Sequence, residues 1–368
     1  MIWGLNFETQ PHITATRRYI TLDAMRGIAA LFVAARHFSE TYQPGVPAPH
    51  FSYLAVDIFF LLSGFVLSLS YGEKLARGMT RKEFLIRRVI RLFPLYLLGT
   101  AISFLVAFWD FPHGRLWLAT PGTVTVNAVA AALMLPSPTY HFSLFLFPFM
   151  IPAWSLFFEL YVANLAFAAF GGRVTTRALL AVISLSLILL LAAAALRGSL
   201  DMGAEWHTFV GGIPRTLFSF FLGVLLQRWH HAHPPKLQIP SWAIVAALAV
   251  LLAAPFSGIA GRVYELVFVV LFFPALIFWG AEAREASKGV GAALGDTSYA
   301  LYVIHYPLVV LTGRLLTQSG TGFAPLLEFP FLAGLAALAY GLHHMFDEPF
   351  RGWLTRHRAR QALTHSPV

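Results

Sequence analysis

No cysteine occurs in the 368 residues, so disulfides, thiolate metal sites and cysteine nucleophiles are all excluded. Charge is the next scarcity: Asp, Glu, Lys and Arg make up 12% of the chain, against 58% hydrophobic residues and a mean hydropathy of +0.68. A water-soluble domain carries roughly twice that charge, so the composition predicts a polytopic membrane protein. Acidic residues are the scarcer sign and the net charge is +9, yet no basic run stands outside short loops and the tail. With no nucleic-acid-binding motif either, the expected partner is the lipid bilayer and not nucleic acid. A Gly-x4-Gly-Lys-Ser/Thr loop is missing, which argues against an ATP-hydrolysing pump of that class, and so is the Gly-x-Ser-x-Gly elbow of serine nucleophiles. No repeat of fixed period is visible. No cleavable leader is expected, because the first apolar run contains Asp23 and Arg26 and lacks a small-x-small cleavage site.

What the chain does hold is long apolar runs. Those long enough to span, about 17 to 25 residues, lie near 20–38, 54–71, 92–109, 151–170, 177–196, 209–228, 241–257, 263–280, 297–317 and 326–345. A weaker run at 123–135 is short and is followed by a proline-punctuated stretch, so 123–150 reads as a re-entrant or interfacial segment. Charge bias supports that reading. With the N-terminus inside and 123–135 not crossing, 19 Lys and Arg fall inside and five outside; if it crosses, the split is 13 to 11. The expectation is therefore one all-α domain over residues 1–368, a helical bundle of about ten transmembrane helices with both termini cytoplasmic. No soluble domain is expected after the last span.

The ionisable residues inside these spans point to chemistry, because such groups are expensive in a bilayer. In the first span, RGIAALFVAARH places Arg26 and His37 eleven residues apart. Eleven steps of about 100° come within roughly 20° of three full turns, so both residues share one face, about 16 Å apart along the axis. Asp23 lies on the same stripe, three residues before Arg26, and Arg36 points about 100° away, where it can snorkel to the interface. An imidazole titrates near neutrality and suits His37 to general-base catalysis. Arg88 and Arg91 also share a helical face, and their forked donors suit an anionic, phosphate-like group. Asp57, and Ser155 with Glu159, fall toward the same membrane side as His37, where a carboxylate can hold the imidazole tautomer. Trp154 reads equally well as a membrane-belt residue. The histidine groups at 230–233 and 343–344 are not expected to bind metal, since no carboxylate is apparent to complete a ligand set.

These stretches together resemble the acyltransferase-3 family of membrane O-acyltransferases. RGIAALFVAARH is similar to that family's Arg-x10-His motif, preceded by TLDAM. AVDIFFLLSGFVLS (55–68), RRVIRLFPLY (87–96), WSLFFE (154–159), GDTSYALYVIHYPL (295–308) and DEPFR (347–351) also match, in order, from about residue 19 to 351. Tyr299 and His305 match family positions. The resemblance implies that the anion gripped by Arg88 and Arg91 belongs to an acyl-CoA co-substrate, acetyl-CoA first among them. It also implies a carbohydrate or glycolipid acceptor and a bacterial cytoplasmic membrane.

The expected activity is O-acyl transfer. Acyl-CoA docks at Arg88 and Arg91, its thioester enters a polar passage lined by Asp23 and Arg26, and His37 deprotonates the acceptor hydroxyl with Glu159 or Asp57 in support. Direct transfer comes first, and an acyl-histidine relay stays open. The rival expectation is a proton-coupled transporter using the same buried Arg, His and Glu groups, although the halves show no repeat.

Overall fold

The computed structural model describes residues 18–42, 51–109, 120–139, 143–171, 174–284, 288–318 and 327–364. Among them the chain forms eleven helices and no strands. These are α1 (Ile20–Tyr42), α2 (Ala55–Ala76), α3 (Arg81–Trp109) and α4 (Pro121–Ala132). Then follow α5 (Ala153–Phe170), α6 (Thr176–Arg197), α7 (Phe209–Ala232), α8 (Ser241–Leu252), α9 (Gly258–Gly280), α10 (Lys288–Gln318) and α11 (328–364). Seven of them, α2, α3, α5, α6, α7, α9 and α11, are long and apolar enough to cross a membrane, and the protein is a polytopic helical membrane protein. Helices α1 and α10, of 23 and 31 residues, are also long enough but carry ionisable groups within their length.

Local chemistry sets several boundaries. Thr80 caps α3 by accepting from the Glu83 amide at 3.1 Å, which starts that helix one residue after the cap and well before the apolar run at 92. Thr120 and Pro121 do the same for α4. Helix α8 stops at Leu252, short of the run expected to 257, because Pro255 lacks an amide donor and restricts the residue before it. Three helices contain a π-helical turn: Phe158–Asn164 in α5, Phe268–Phe272 in α9 and His343–Asp347 in α11. Such turns recur at functional sites, and the first holds Glu159.

Two parallel helix pairs organise the bundle. Along α1 and α10, Ile20 meets Gly291, Asp23 meets Gly295 and His37 meets His305, so both chains run the same way. With the other spans crossing, a further crossing at 123–135 would set these two antiparallel. Helix α4 is instead a short helix whose buried Asn127 bonds Thr139 and Ser137, and the described residues beyond it, 133–139 and 143–152, form no helix. In the second pair, α2 and α7, Gly64 and Gly223 let the backbones touch: a methyl at Gly64 would overlap the Phe220 carbonyl, and one at Gly223 the Leu61 carbonyl.

An ion pair locks the second pair. Arg215 of α7 and Asp57 of α2 are 0% and 1% exposed and approach to 2.7 Å. The remaining guanidinium protons go to the Met202 carbonyl at 2.9 Å and the Tyr53 carbonyl at 3.0 Å, and Ser219 donates to Asp57 at 3.3 Å. Removing one partner of such a pair strands a buried charge and costs about 3–5 kcal/mol, whereas an apolar pair of similar volume is often neutral. Arg215→Ala is therefore expected to lower the melting temperature of the purified protein sharply. The double variant Asp57→Leu with Arg215→Met should recover most of the loss in the same melt.

Candidate active site

Helices α1, α2, α3, α5 and α10 surround two cavities that lie on either side of one tyrosine. The inner cavity has a volume of about 170 Å3, and its polar lining includes Arg26, Ser63, Arg88, Arg91, Glu159 and Tyr299. Arg88 donates to Glu159 at 2.7 Å, and Ser63 donates to the same carboxylate oxygen at 2.7 Å. Both charged side chains are largely buried, at 12% and 14% exposure, so the pair is shielded from water and correspondingly strong. The Arg88 Nε has no acceptor among the described residues. Arg91 lies over the Tyr299 ring at 5.4 Å, and the Tyr299 hydroxyl donates to the Leu92 carbonyl at 2.5 Å. Three arginines against one carboxylate leave the inner cavity cationic.

The outer cavity, about 350 Å3, is lined by His37, Arg36, Glu40, Trp154, Asp201 and Glu205, among others. The irregular segment after α4 and the loop before α7 roof it, joined by the Leu146 amide to Ala204 at 2.9 Å and the Trp206 amide to Leu144 at 2.9 Å. Arg36 is held between Glu40 at 2.8 Å and Asp201 at 3.0 Å, with Tyr53 stacked at 5.0 Å. Acidic groups therefore outnumber basic ones here, the reverse of the inner cavity.

His37 has a defined tautomer. Its Nδ1 lies 2.9 Å from the Val33 carbonyl and 3.3 Å from His305 Nε2. A carbonyl only accepts, so Nδ1 of His37 bears the proton. His305 is fixed the same way, with Nδ1 donating to the Tyr302 carbonyl at 2.7 Å, which makes its Nε2 an acceptor. The His37 Nδ1–H is thus shared between Val33 and His305, and the Nε2 lone pair of His37 is left for the outer cavity. His305 is 0% exposed and cannot meet a ligand directly.

Between the cavities stands Tyr302, which lines both. Its hydroxyl shares a 2.6 Å hydrogen bond with Ser155 and donates to the Pro152 carbonyl at 3.1 Å. Phe59 packs edge-on against its ring at 5.4 Å. Together these groups form a one-residue wall.

Measured against the sequence reading, Arg26 and Arg91 line the inner cavity and His37 the outer one, while Arg88, expected as a free phosphate grip, is engaged by Glu159. The carboxylate expected beside His37 is absent among the described residues. Glu159 turns inward to Arg88 because α3 brings that charge against the π turn, and Asp57 is consumed by Arg215; His305 stands next to the imidazole instead. Asp23 approaches Arg26 only to 3.7 Å and is bonded more closely by Arg18 at 2.6 Å, so it lies outside both linings. Trp154 is 7% exposed beneath Arg215, not a belt residue. Ser155 and Tyr299 both reach the inner cavity. Three positions that shape the two cavities and the bundle went unread: Tyr302, Ser63 and Arg215. Tyr302 had a signal, since Ser298, Tyr302 and His305 recur at helical spacing on one face. Arg215 had one as well, an arginine inside an apolar span, but it passed for a loop charge.

Among the described residues there is one group of possible metal ligands, in which a carboxylate that the sequence reading did not expect stands beside His343 and His344. His343, His344 and Glu348 bring donor atoms within 4.8 Å of one another, because α11 sets Glu348 one turn beyond His344. Arg91 and Arg351 meet at the adjacent Asp347, at 3.4 and 2.9 Å, and this positive surrounding disfavours a bound cation.

Comparison with known proteins identifies the family. A family described as an acyltransferase domain matches residues 19–342. The chain is 41% identical to protein 2 in the picA locus of Rhizobium radiobacter, over 48% of this chain and 95% of that one. It is 27% identical to acyltransferase MdmB of Streptomyces mycarofaciens, over 93% of this chain and 94% of its relative. It is 25% identical to the exopolysaccharide production protein ExoZ of Rhizobium meliloti, over 83% of this chain and 90% of ExoZ. No solved structure matches. With the family match covering most of its length, the chain belongs to the acyltransferase-3 family and is a membrane acyltransferase.

Proposed function

We propose that the protein transfers an acyl group from acyl-CoA, acetyl-CoA first, to a hydroxyl of a carbohydrate or glycolipid. The donor enters from the cytoplasmic side of a bacterial inner membrane, in which the ten helices cross and both termini lie in the cytoplasm. The observation that carries this reading is the tautomer of His37: a lone pair held toward one cavity, with a cationic cavity directly behind Tyr302. Base and donor chamber thus share a single wall.

In this reaction His37 Nε2 takes the proton of the acceptor hydroxyl. The oxygen attacks the thioester carbonyl carbon, the C–S bond breaks, and the departing thiolate recovers the proton from the imidazolium. As His37 becomes charged, its Nδ1–H strengthens toward His305 Nε2, so His305 serves as a positioning residue in the place often taken by a carboxylate. The Tyr302 and Ser155 hydroxyls, at the boundary where the reactants meet, can donate to the carbonyl oxygen as negative charge develops. Arg26 and Arg91 favour the negative charge of the departing thiolate in the inner cavity. The outer cavity offers carboxylates, a histidine and aromatic rings, groups that bond and stack against a polyhydroxylated ring. The relative named for exopolysaccharide production is consistent with such an acceptor.

His37→Ala should abolish transfer while membrane insertion and melting temperature are kept, since loss of a general base removes about 10²–10⁴ in rate. Product yield equal to wild type, read as the mass of surface glycans from expressing cells, would refute the assignment. His305→Phe keeps the ring volume and removes the acceptor for Nδ1–H. Transfer is expected to drop about tenfold or more with unchanged CoA affinity, and to show an altered pH-rate profile. In wild type the rate should decline as pH is lowered, because protonated Nε2 has no lone pair to offer.

A further inference from the structure

A third cavity, about 750 Å3, opens between the first turns of α3 and the last part of α11. Its lining holds five cations, Lys82, Arg87, Arg91, Arg351 and Arg358, against one carboxylate, Glu83. The arrangement follows from helical spacing. Glu83, Arg87 and Arg91 recur every fourth residue along α3, and Arg351, Thr355 and Arg358 repeat at four and three along α11, so each helix turns one charged stripe to the gap. Some of the charge is already matched: Arg87 pairs with Glu83 at 2.7 Å, and Arg351 and Arg91 reach Asp347. Lys82 and Arg358 have no counter-ion among the described residues. The Thr80 hydroxyl adds a neutral donor, the Thr355 hydroxyl, which donates to the Arg351 carbonyl at 2.8 Å, adds an acceptor, and the ring of Tyr71 is the single aromatic surface of the lining. Cations, hydroxyls and one flat ring are what a phosphorylated purine nucleoside requires.

The position matters as much as the lining. Arg91 borders both this cavity and the inner one, so the two are adjacent. Meanwhile Arg88 is bound to Glu159 and buried, and it cannot serve as an entry-point phosphate grip. We propose that the cavity between α3 and α11 binds the phosphorylated nucleotide end of the acyl donor, with Lys82 and Arg358 as its principal phosphate contacts. The uncharged arm of the donor then passes Arg91 and carries the thioester to the inner cavity. This proposal rests on the acyl-CoA reading above, and it separates the donor's recognition from its chemistry. Phosphate affinity resides at the mouth, and the arginines deeper in the bundle meet the acyl arm. A phospholipid headgroup offers similar phosphate chemistry, and the test distinguishes the two.

The full-length protein in nanodiscs of neutral phosphatidylcholine would be titrated calorimetrically with CoA, 3′-dephospho-CoA and pantetheine. Wild type should bind CoA at least tenfold more tightly than 3′-dephospho-CoA, with affinity falling as salt rises. Lys82→Ala with Arg358→Ala should lose at least tenfold in CoA affinity and bind CoA and 3′-dephospho-CoA alike, at an unchanged melting temperature. Lys82→Arg with Arg358→Lys should keep most of the affinity. Wild-type CoA affinity in the alanine double variant would overturn the proposal. So would an unchanged CoA affinity accompanied by loss of phosphatidylglycerol binding in nanodiscs doped with that lipid, which would make this a lipid site. Failure of the wild-type protein to bind CoA would remove the donor reading itself, a result distinct from either.

Discussion

A full charge in hydrocarbon is tolerated only where its partners are built in beside it, and this bundle is arranged around that constraint. Asp57 and Arg215 meet it most completely: every guanidinium nitrogen of this α7 arginine finds an acceptor, and the acceptors come from α2, the turn before α2 and the loop before α7. Satisfying one buried pair therefore pins four pieces of chain. Trp154 is pressed beneath Arg215 as part of the same assembly, and the residue after it, Ser155, reaches Tyr302. The wall between the cavities inherits its position from an ion pair that touches neither reactant.

The same constraint sorts the charges of the site. Inside, arginine is in excess and one carboxylate, Glu159, anchors Arg88; outside, carboxylates are in excess and hold Arg36. The imidazole sits at the boundary, neutral, with its proton assigned by carbonyl oxygens and not by a counter-ion. A neutral base in a poorly hydrated position avoids the solvation cost that a second carboxylate would impose.

The sequence made the helices legible because hydrophobic run length depends only on local composition. It also put Arg26 and His37 on one face, a matter of helical arithmetic. Partnerships between helices were harder to read. Asp57 and Glu159 both looked like supports for His37, since run position gives depth but not azimuth. Nothing in the local sequence tells that Arg215 lies opposite Asp57, or that Arg88 comes against the π turn in α5. His305 was legible as a residue and illegible as a neighbour, because its distance from His37 depends on the parallel packing of α1 and α10.

The wall formed by Tyr302 and Ser155 has a consequence for the cell. In the proposed topology the two polar hollows are entered from opposite faces of the bilayer, and joining them would make a water wire that short-circuits a proton gradient. A phenol and a serine, bonded to each other and backed by Phe59, stand between the two hollows. With that topology, a group handed across meets a seal and not an open pore, which would keep an energised membrane insulated between turnovers.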